Sequence, residues 1–171
     1  DKIKKGLTKD TLIISGGVAE GDYDLVPKVL KKLKVKILFH KISMKPGKPV
    51  LFGKKGKTLV YGLPGNPVSN FLALYLFIRP AIFKMMGYLS FRFIYNEGIQ
   101  LKDFSKKKGT THFVQLKIEK NKGKYTLKPV NSHGSADVLS LTRADGFMIV
   151  EEHISLAKKG SSIPFFSWKA I

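Results

Sequence analysis

Three short loops in the N-terminal half of the chain carry residue types that suit an anion. In order, they are Ser15-Gly16-Gly17, the segment 41–49, and Gly62-Leu63-Pro64-Gly65-Asn66-Pro67-Val68-Ser69. Each loop offers polar backbone groups or ammonium groups and has little apolar side chain to bury. Three such loops in close succession predict one shared anion-binding site rather than three unrelated turns.

The first loop follows a short apolar run and precedes a helical pattern. A glycine-rich turn in this position directs backbone N–H groups and a helix N-terminus at one point, which favours a phosphate or another oxyanion. The alternative is a plain tight turn. Asp22 and Asp24 follow, and carboxylates repel anions. They fit such a site if a divalent cation links them to the ligand, with Asp24 as the candidate metal ligand; otherwise they act only as helix caps.

The second loop places cations along an extended segment. Lys41, Ser43 and Lys45 would project from one face of a strand, with two ammonium groups about 13 Å apart. Lys48, which follows a Pro-Gly turn, would add a third cation. This set could bracket an extended anion. The alternative is an ordinary polar strand face in a lysine-rich protein.

The third loop combines close backbone approach with a helix start. Gly62 and Gly65 carry no Cβ, so a ligand could approach the backbone there, and Ser69 could donate its hydroxyl. The alternative is helix initiation alone. Asn66 is suited to cap a helix with its side-chain oxygen, and Pro67 suits the first helical position.

The elements around these loops predict an α/β layer. The apolar run 11–14 is typical of a buried parallel strand, and apolar residues within 25–33 recur at helical spacing. Further extended segments follow at 35–44, 50–52 and 58–61. A helix is then predicted from Pro67 to about Met86, with a kink or break at Pro80. Its apolar run contains Arg79-Pro80 and is too short for a bilayer, so we predict a core helix.

The pattern after Tyr88 changes to short alternating strands, which predict a compact all-β unit. The predicted domains are therefore residues 1–88 and 89–171. A polar loop of small residues, Asn131 to Asp137, either connects two strands or begins a short helix. The four histidines show no metal-ligand spacing. The predicted strands lie at 91–95, 111–119, 124–130, 146–151 and 162–168.

The composition is strongly basic, with a net charge of +19, and the basic residues include only three arginines. Strong basicity favours phosphate-rich partners, but dedicated nucleic-acid readers rely on arginine, so a lysine-covered surface is the favoured interpretation and nucleic acid an unlikely partner. The chain has no cysteine, which excludes disulfides and thiolate metal sites. No signal segment is present, and we expect a cytoplasmic protein without membrane contact.

The three loops together resemble those of the molybdopterin molybdenumtransferases, the MoeA-type family to which the E domain of gephyrin is related. The resemblance rests on order, spacing and residue identity, and it covers nearly the whole chain. The motifs that carry it are Ser15-Gly16-Gly17-Val18, Gly21-Asp22-Tyr23-Asp24, Lys41, Lys45-Pro46-Gly47-Lys48-Pro49 and Gly62-Leu63-Pro64-Gly65-Asn66-Pro67-Val68-Ser69.

The resemblance implies a fold and a function. The fold is part of a three-layer molybdopterin-binding α/β domain with a mostly parallel sheet, followed by a small β-rich C-terminal domain. The function is the insertion of molybdate into adenylylated molybdopterin, with magnesium present and release of AMP, by a homodimer.

Site residues follow from the same resemblance. By motif, the positions implicated in activity are Asp24, Lys41, Lys45 and Ser135. The residues expected to line the pterin-phosphate pocket are Ser15, Gly16, Gly17, Asp22, Lys48, Pro64, Gly65, Asn66 and Ser69.

Two departures from the family pattern, and one absence, shape our expectations. Ala19 stands where a serine is common, and Gln115 stands where the family often has an arginine, which would weaken an oxyanion role for the C-terminal domain. A strand, an acidic loop and two further domains should precede Asp1. We therefore expect a C-terminal fragment that does not turn over alone. A non-catalytic scaffold of the gephyrin kind and a basic nucleic-acid-binding module remain the alternative functions.

Overall fold

The computed structural model describes residues 1–19, 24–88, 95–131, 134 and 136–169. The chain divides into two compact units. The first consists of Asp1–Ile42 and Gly47–Tyr88, and the second of Ser43–Pro46 and Leu89–Ile171. The units differ from the domains expected from the sequence in one short segment, residues 43–46, which lies with the second unit.

The first unit is built on a four-stranded sheet. The strands of the N-terminal half are β1 Thr11–Ser15, β2 Lys36–His40, β3 Met44–Lys45, β4 Leu51–Lys55 and β5 Thr58–Leu63. Four of them form a sheet in the order β1-β5-β4-β2. β1 and β5 are parallel, whereas β4 pairs antiparallel with both β5 and β2. The sheet is therefore mixed. A tight turn joins β4 and β5 as an antiparallel hairpin. β1 lies at an edge of the described sheet.

Helices bury a small aliphatic core in this unit. They are α1 Lys2–Gly6 and α2 Val26–Lys32. The apolar stripe of α2 places Leu30 against Leu51 and Val60 in a cluster from which water is excluded. The helix ends where predicted, because Lys34 has a left-handed backbone with φ of 57°.

The predicted helix that follows the third loop is confirmed, together with its break. It consists of α3 Pro67–Ala73, a π-helical turn Leu74–Ile78 and α4 Arg79–Met85. Pro80 has no N–H to donate, so the regular helical ladder cannot continue through it, and the wider turn comes directly before α4.

The prediction that this helix is a core helix holds for α3, which buries Val68 and Leu72, and is wrong for α4, which has no buried residue. Over the whole helix, only 28% of the apolar window is buried, and Leu74, Ile82 and Met85 are more than a third exposed. By length and composition, Pro67–Met85 could cross a membrane, contrary to the expectation that it is too short. A single helix of this kind is weak evidence for a membrane, because core helices meet the same criterion.

The second unit is β-rich, and its described residues include a short helix, α5 Val138–Arg143. A six-stranded sheet has the order β10-β12-β6-β9-β8-β3, and β7 pairs with β11 separately. The predicted strands after residue 110 are confirmed, while the predicted strand 91–95 lies almost entirely outside the described residues. The bounds are β6 Asn96–Gln100, β7 Phe104–Ser105, β8 Thr111–Asn121, β9 Lys124–Pro129, β10 Gly146–Val150, β11 Leu156–Ala157 and β12 Ser162–Ser167.

Candidate anion-binding site

Two of the predicted loops meet at one edge of the first sheet. β1 and β5 are parallel neighbours, and Ser15 lies opposite Leu63 at their carboxyl ends. The N–H of Gly16 donates to the carbonyl of Leu63 over 2.9 Å. A Cβ added to Gly65 would lie 3.9 Å from Gly16 Cα. The first and third loops therefore meet at Gly16 and Gly65. Gly16 and Gly17 are half-buried and Gly65 is exposed, whereas the predicted site residue Pro64 is buried.

The first loop has a backbone that glycine adopts easily. Gly16 and Gly17 have φ of 86° and 68°, in the left-handed region that other residues rarely adopt. The carbonyl of Gly17 accepts a hydrogen bond from Val26 N at the start of α2. The loop is thus fixed between the end of β1 and the beginning of a helix, as the phosphate-loop interpretation requires.

Helix α3 contributes a side chain that the sequence analysis did not select. Asn70 Nδ2 donates to Ser15 Oγ over 2.8 Å. Asn66 starts α3, but its side chain makes no cap hydrogen bond, so the predicted side-chain cap is wrong. Ser69 lies on α3 and is only 3% exposed. The four-residue spacing of Asn66 and Asn70, which places both on one helical face, was the available indication that Asn70 belongs to the site.

The second loop is linked to the first through a histidine. His40 Nε2 lies 2.6 Å from the carbonyl oxygen of Val18. Lys41 follows with φ of 85°, and its N–H donates to the carbonyl of Val50. The carbonyl of Lys48 accepts a hydrogen bond from Ile42 N. The backbones of Lys41 and Lys48 are therefore held together within the first unit.

Lys45 lies in the second unit, so the predicted common strand face of Lys41, Ser43 and Lys45 is wrong. The left-handed backbone of Lys41 ends the extended segment, and β3 contains only two residues. β3 pairs in parallel with β8, which places Lys45 opposite His112.

Lys45 belongs to a local group of cations there. Burial of the imidazole, and after it the ammonium groups of Lys106 and Lys45, hold the pKa of His112 below its ordinary value. Lys106 Nζ donates to the carbonyl of Thr110 over 2.8 Å, which fixes one of these charges beside β8. The group would attract an anion.

Comparison with known proteins identifies the family. Residues 1–84 match a family model described as a probable molybdopterin binding domain, and residues 98–168 match the MoeA C-terminal region, domain IV. The chain is 34% identical to the molybdopterin molybdenumtransferase of Bacillus subtilis, over 86% of this chain and 35% of the relative. It is 31% identical to the molybdopterin molybdenumtransferase of Synechocystis, over 96% of this chain and 40% of the relative.

A solved structure agrees with these matches. The molybdopterin biosynthesis MoeA protein from Pyrococcus horikosii superposes with a TM-score of 0.80 and 25% identity, over 99% of this chain and 40% of that one. The chain belongs to the molybdopterin molybdenumtransferase family. It spans between about a third and two fifths of the length of these relatives. The resemblance drawn from the three loops is confirmed, and so is the α/β class with a β-rich second part.

Two of the site residues expected from the resemblance lie outside the described residues. They are Asp22 and Ser135. Asp24 is described and half-buried, two residues before α2. Across the described ranges, no three histidine, cysteine or acidic side chains come together. Mg²⁺ needs only one or two carboxylates when a substrate phosphate and water complete its shell, so Asp24 as its ligand stays a prediction.

Gln115, which stands where we expect the family to have an arginine, lies in a buried position of the second unit. It lies on β8 opposite Phe147 and is 6% exposed. Neither polar atom of its side-chain amide has a hydrogen-bond partner among the described residues. A neutral, buried amide therefore occupies this position, and it cannot supply the fixed positive charge of an arginine.

Proposed function

We propose that the protein inserts molybdate into adenylylated molybdopterin with release of AMP, and that the first and third loops bind the phosphate-bearing part of the pterin. Family membership supports the reaction. The observation that carries the assignment of the loops is their contact at the ends of two parallel strands, where Gly16 N–H donates to Leu63. In α/β sheets, ligands bind beyond the carboxyl ends of the strands.

The chemistry of this surface suits a phosphate. Gly16, Gly17 and Gly65 carry no Cβ, so an oxyanion can approach the backbone there. The N–H of Gly16 is bonded to Leu63, so the donors we propose for the oxyanion are the N–H groups of Gly17 and Gly65. Asn70 keeps Ser15 Oγ occupied as an acceptor, which leaves the hydroxyl hydrogen of Ser15 available to donate to an oxyanion.

The lysines are proposed to attract the anionic substrates. Lys41 is exposed near the glycine loop of the first unit, because it follows His40 directly. Lys45 is exposed in the second unit beside His112 and Lys106. An ammonium group favours molybdate or phosphate most strongly at low ionic strength, because salt screens exposed charges over about 10 Å.

The test is a molybdate-insertion assay on the full-length protein with adenylylated molybdopterin. We propose in addition that Asp24 orients the ligand rather than binding it. Asp24→Asn should then lower kcat at least about tenfold while binding of the pterin changes less. Asp10→Asn, which changes an exposed carboxylate on another loop, is the matched control and should leave both quantities unchanged. Equal losses of rate and affinity in Asp24→Asn would contradict the orienting role.

Lys45→Ala tests the anion part of the proposal. It should weaken molybdate binding several-fold at low salt, and the difference from wild type should shrink as salt is added. A loss that does not depend on salt would show that Lys45 supports the structure instead. A folded wild-type protein that releases no AMP and forms no cofactor would favour the non-catalytic scaffold.

A further inference from the structure

His40 makes a contact that the proposed chemistry does not use. Its Nε2 atom lies 2.6 Å from the carbonyl oxygen of Val18, although the two residues are far apart in the sequence. A carbonyl oxygen only accepts hydrogen bonds, so Nε2 must carry the hydrogen and donate it. A short hydrogen bond from the side chain of His40, at the end of β2, therefore holds the loop that follows β1.

The position of Val18 depends on contacts from several directions. Val18 is 1% exposed, so its carbonyl group has little access to water. A Cβ on Gly62 would lie 2.8 Å from Val18 Cγ1, which shows that Val18 occupies the space left by the missing side chain. Without His40, the buried carbonyl would lose this donor, and the loop would gain freedom to move.

The same contact links two of the three loops. The preceding residues of the loop are fixed by Gly16 N to Leu63 and by Val26 N to the carbonyl of Gly17. On the other side, Lys41 follows His40 directly, and its N–H is bonded to Val50. A shift of the imidazole would therefore change both the glycine loop and the backbone of Lys41.

We propose that His40 is a positioning residue that holds the Ser15–Val18 loop in the conformation that binds phosphate and sets its distance from Lys41. The proposal rests on the proposed function, because the loop is taken to bind the phosphate-bearing part of adenylylated molybdopterin. His40 does not touch the substrate in this role. It acts through the carbonyl of Val18.

Two substitutions of His40 separate the hydrogen bond from the volume of the side chain. His40→Phe keeps a ring of similar size and removes the donor. His40→Gln keeps a nitrogen donor at a similar reach. We expect His40→Phe to raise the KM of the full-length protein for adenylylated molybdopterin about tenfold, with kcat within about threefold, because one hydrogen bond to a buried group is lost. His40→Gln should stay within about threefold of wild type in both constants.

A second readout does not require turnover. Hydrogen exchange of the Gly16 amide should accelerate about tenfold in His40→Phe and stay near the wild-type rate in His40→Gln. The amide of Leu33, which is bonded to Val29 in α2, should exchange at the wild-type rate in both variants. His153→Phe is the matched control, since that imidazole is 71% exposed.

The outcomes distinguish this proposal from the proposed function. A wild-type protein that neither binds nor converts adenylylated molybdopterin would refute the function, and Gly16 exchange alone would then decide the role of His40. Unchanged exchange and KM in His40→Phe would overturn the proposal, and so would equal losses in both variants. If His40→Phe does not fold, His40→Asn, whose shorter amide cannot reach Val18, takes its place with the same expected results.

Discussion

The two units of this chain are stabilised differently. The first unit has a small aliphatic core that includes Leu30, Leu51 and Val60. The second unit has a mainly aliphatic cluster too, but it also buries aromatic rings fully. Among these, Phe147 contacts the rings of Phe166 and Trp168 with centroid distances of 5.6 and 4.9 Å. A unit that offers backbone to a ligand must keep small residues at its loops, and these residues bury little area. A buried aromatic ring removes more apolar area from water than a small aliphatic side chain does. We therefore expect the loss of one buried ring to destabilise the second unit more than the loss of one aliphatic side chain destabilises the first.

The polar contacts differ in the same way. In the first unit, His40 and Asn70 contact the residues of the first loop and so affect the candidate site directly. In the second unit, Asp145 accepts hydrogen bonds from Lys117, Lys169 and the backbone of β8. The contacts of the first unit position the candidate binding surface. The contacts of Asp145 connect strand β8 to Lys169.

The largest effect is expected from truncating the aromatic core. Phe147 is fully buried, and Phe147→Ala should lower the free energy of unfolding by about 4 kcal/mol through lost burial and a cavity. Urea unfolding followed by fluorescence is well suited to this test. The chain contains a single tryptophan, Trp168, and it contacts Phe147. Phe147→Leu, which keeps most of the buried carbon, is the control and should cost less than half as much.

This prediction also tests the comparison itself. Leu30→Ala removes a fully buried side chain from the aliphatic core of the first unit. We expect it to cost about 3 kcal/mol, less than the aromatic truncation. If Leu30→Ala cost more than Phe147→Ala, the proposed difference between the two units would have to be abandoned.

A smaller effect is expected at a glycine of the first unit. Gly62→Ala would place a Cβ 2.8 Å from Val18 Cγ1 and 3.2 Å from Leu51 Cβ, and the resulting overpacking should cost about 2 kcal/mol. Gly65→Ala is the matched control, because its Cβ would have no neighbour closer than 3.9 Å. It should change stability by less than about 0.5 kcal/mol. Thermal unfolding measured by circular dichroism compares the two.

The same pair sharpens the distinction between structure and site. Gly65→Ala covers exposed backbone at the candidate phosphate surface, so it should weaken pterin binding while the melting temperature stays unchanged. Gly62→Ala should lower the melting temperature, and it should also weaken pterin binding, because its Cβ would displace Val18 of the first loop. Equal stability losses in the two variants would contradict the assignment of close packing to Gly62.

Much of the fold follows from the sequence, because local patterns determine it. Alternation predicts β8 and β9, and the helical stripe of α2 ends near Lys34 as expected. The break at Pro80 follows from its missing N–H. The exposure of α4 could not be predicted, because apolar periodicity shows that a face is apolar and does not show that another element covers it.

The candidate site likewise has features that local sequence patterns predict and features that they do not. The meeting of the first and third loops follows from adjacent parallel strands, which the sequence pattern indicates. The contacts of His40 with Val18 and of Asn70 with Ser15 join residues that are distant in the chain. Local spacing places Asn70 on the helical face of Asn66, but it does not give either contact. The assignment of Lys45 to the second unit depends on a two-residue strand pairing with β8, which is too short to recognise from alternation.

The smallest predicted effect concerns the carboxylate of Asp145. Burial favours its neutral form, but the N–H of Ile118 and the ammonium groups of Lys169 and Lys117 outweigh burial and hold the pKa of Asp145 below its ordinary value. A carboxylate with a lowered pKa stabilises the folded state above the pKa of the unfolded chain, and this contribution is lost as the pH falls through the folded pKa. Asp145→Asn should therefore cost about 1 kcal/mol at pH 7, and its difference from wild type should shrink as the pH falls below about 4, the pKa of an unfolded aspartate. Urea unfolding followed by Trp168 fluorescence at several pH values measures this difference.

The control is Glu151→Gln, in an ion pair whose side chains are more than half exposed, and it should cost almost nothing at any pH. A cost of Asp145→Asn that stays constant down to pH 3 would show that the charge of Asp145 does not stabilise the second unit. The difference in stabilisation between the two units would then rest on the buried aromatic rings alone.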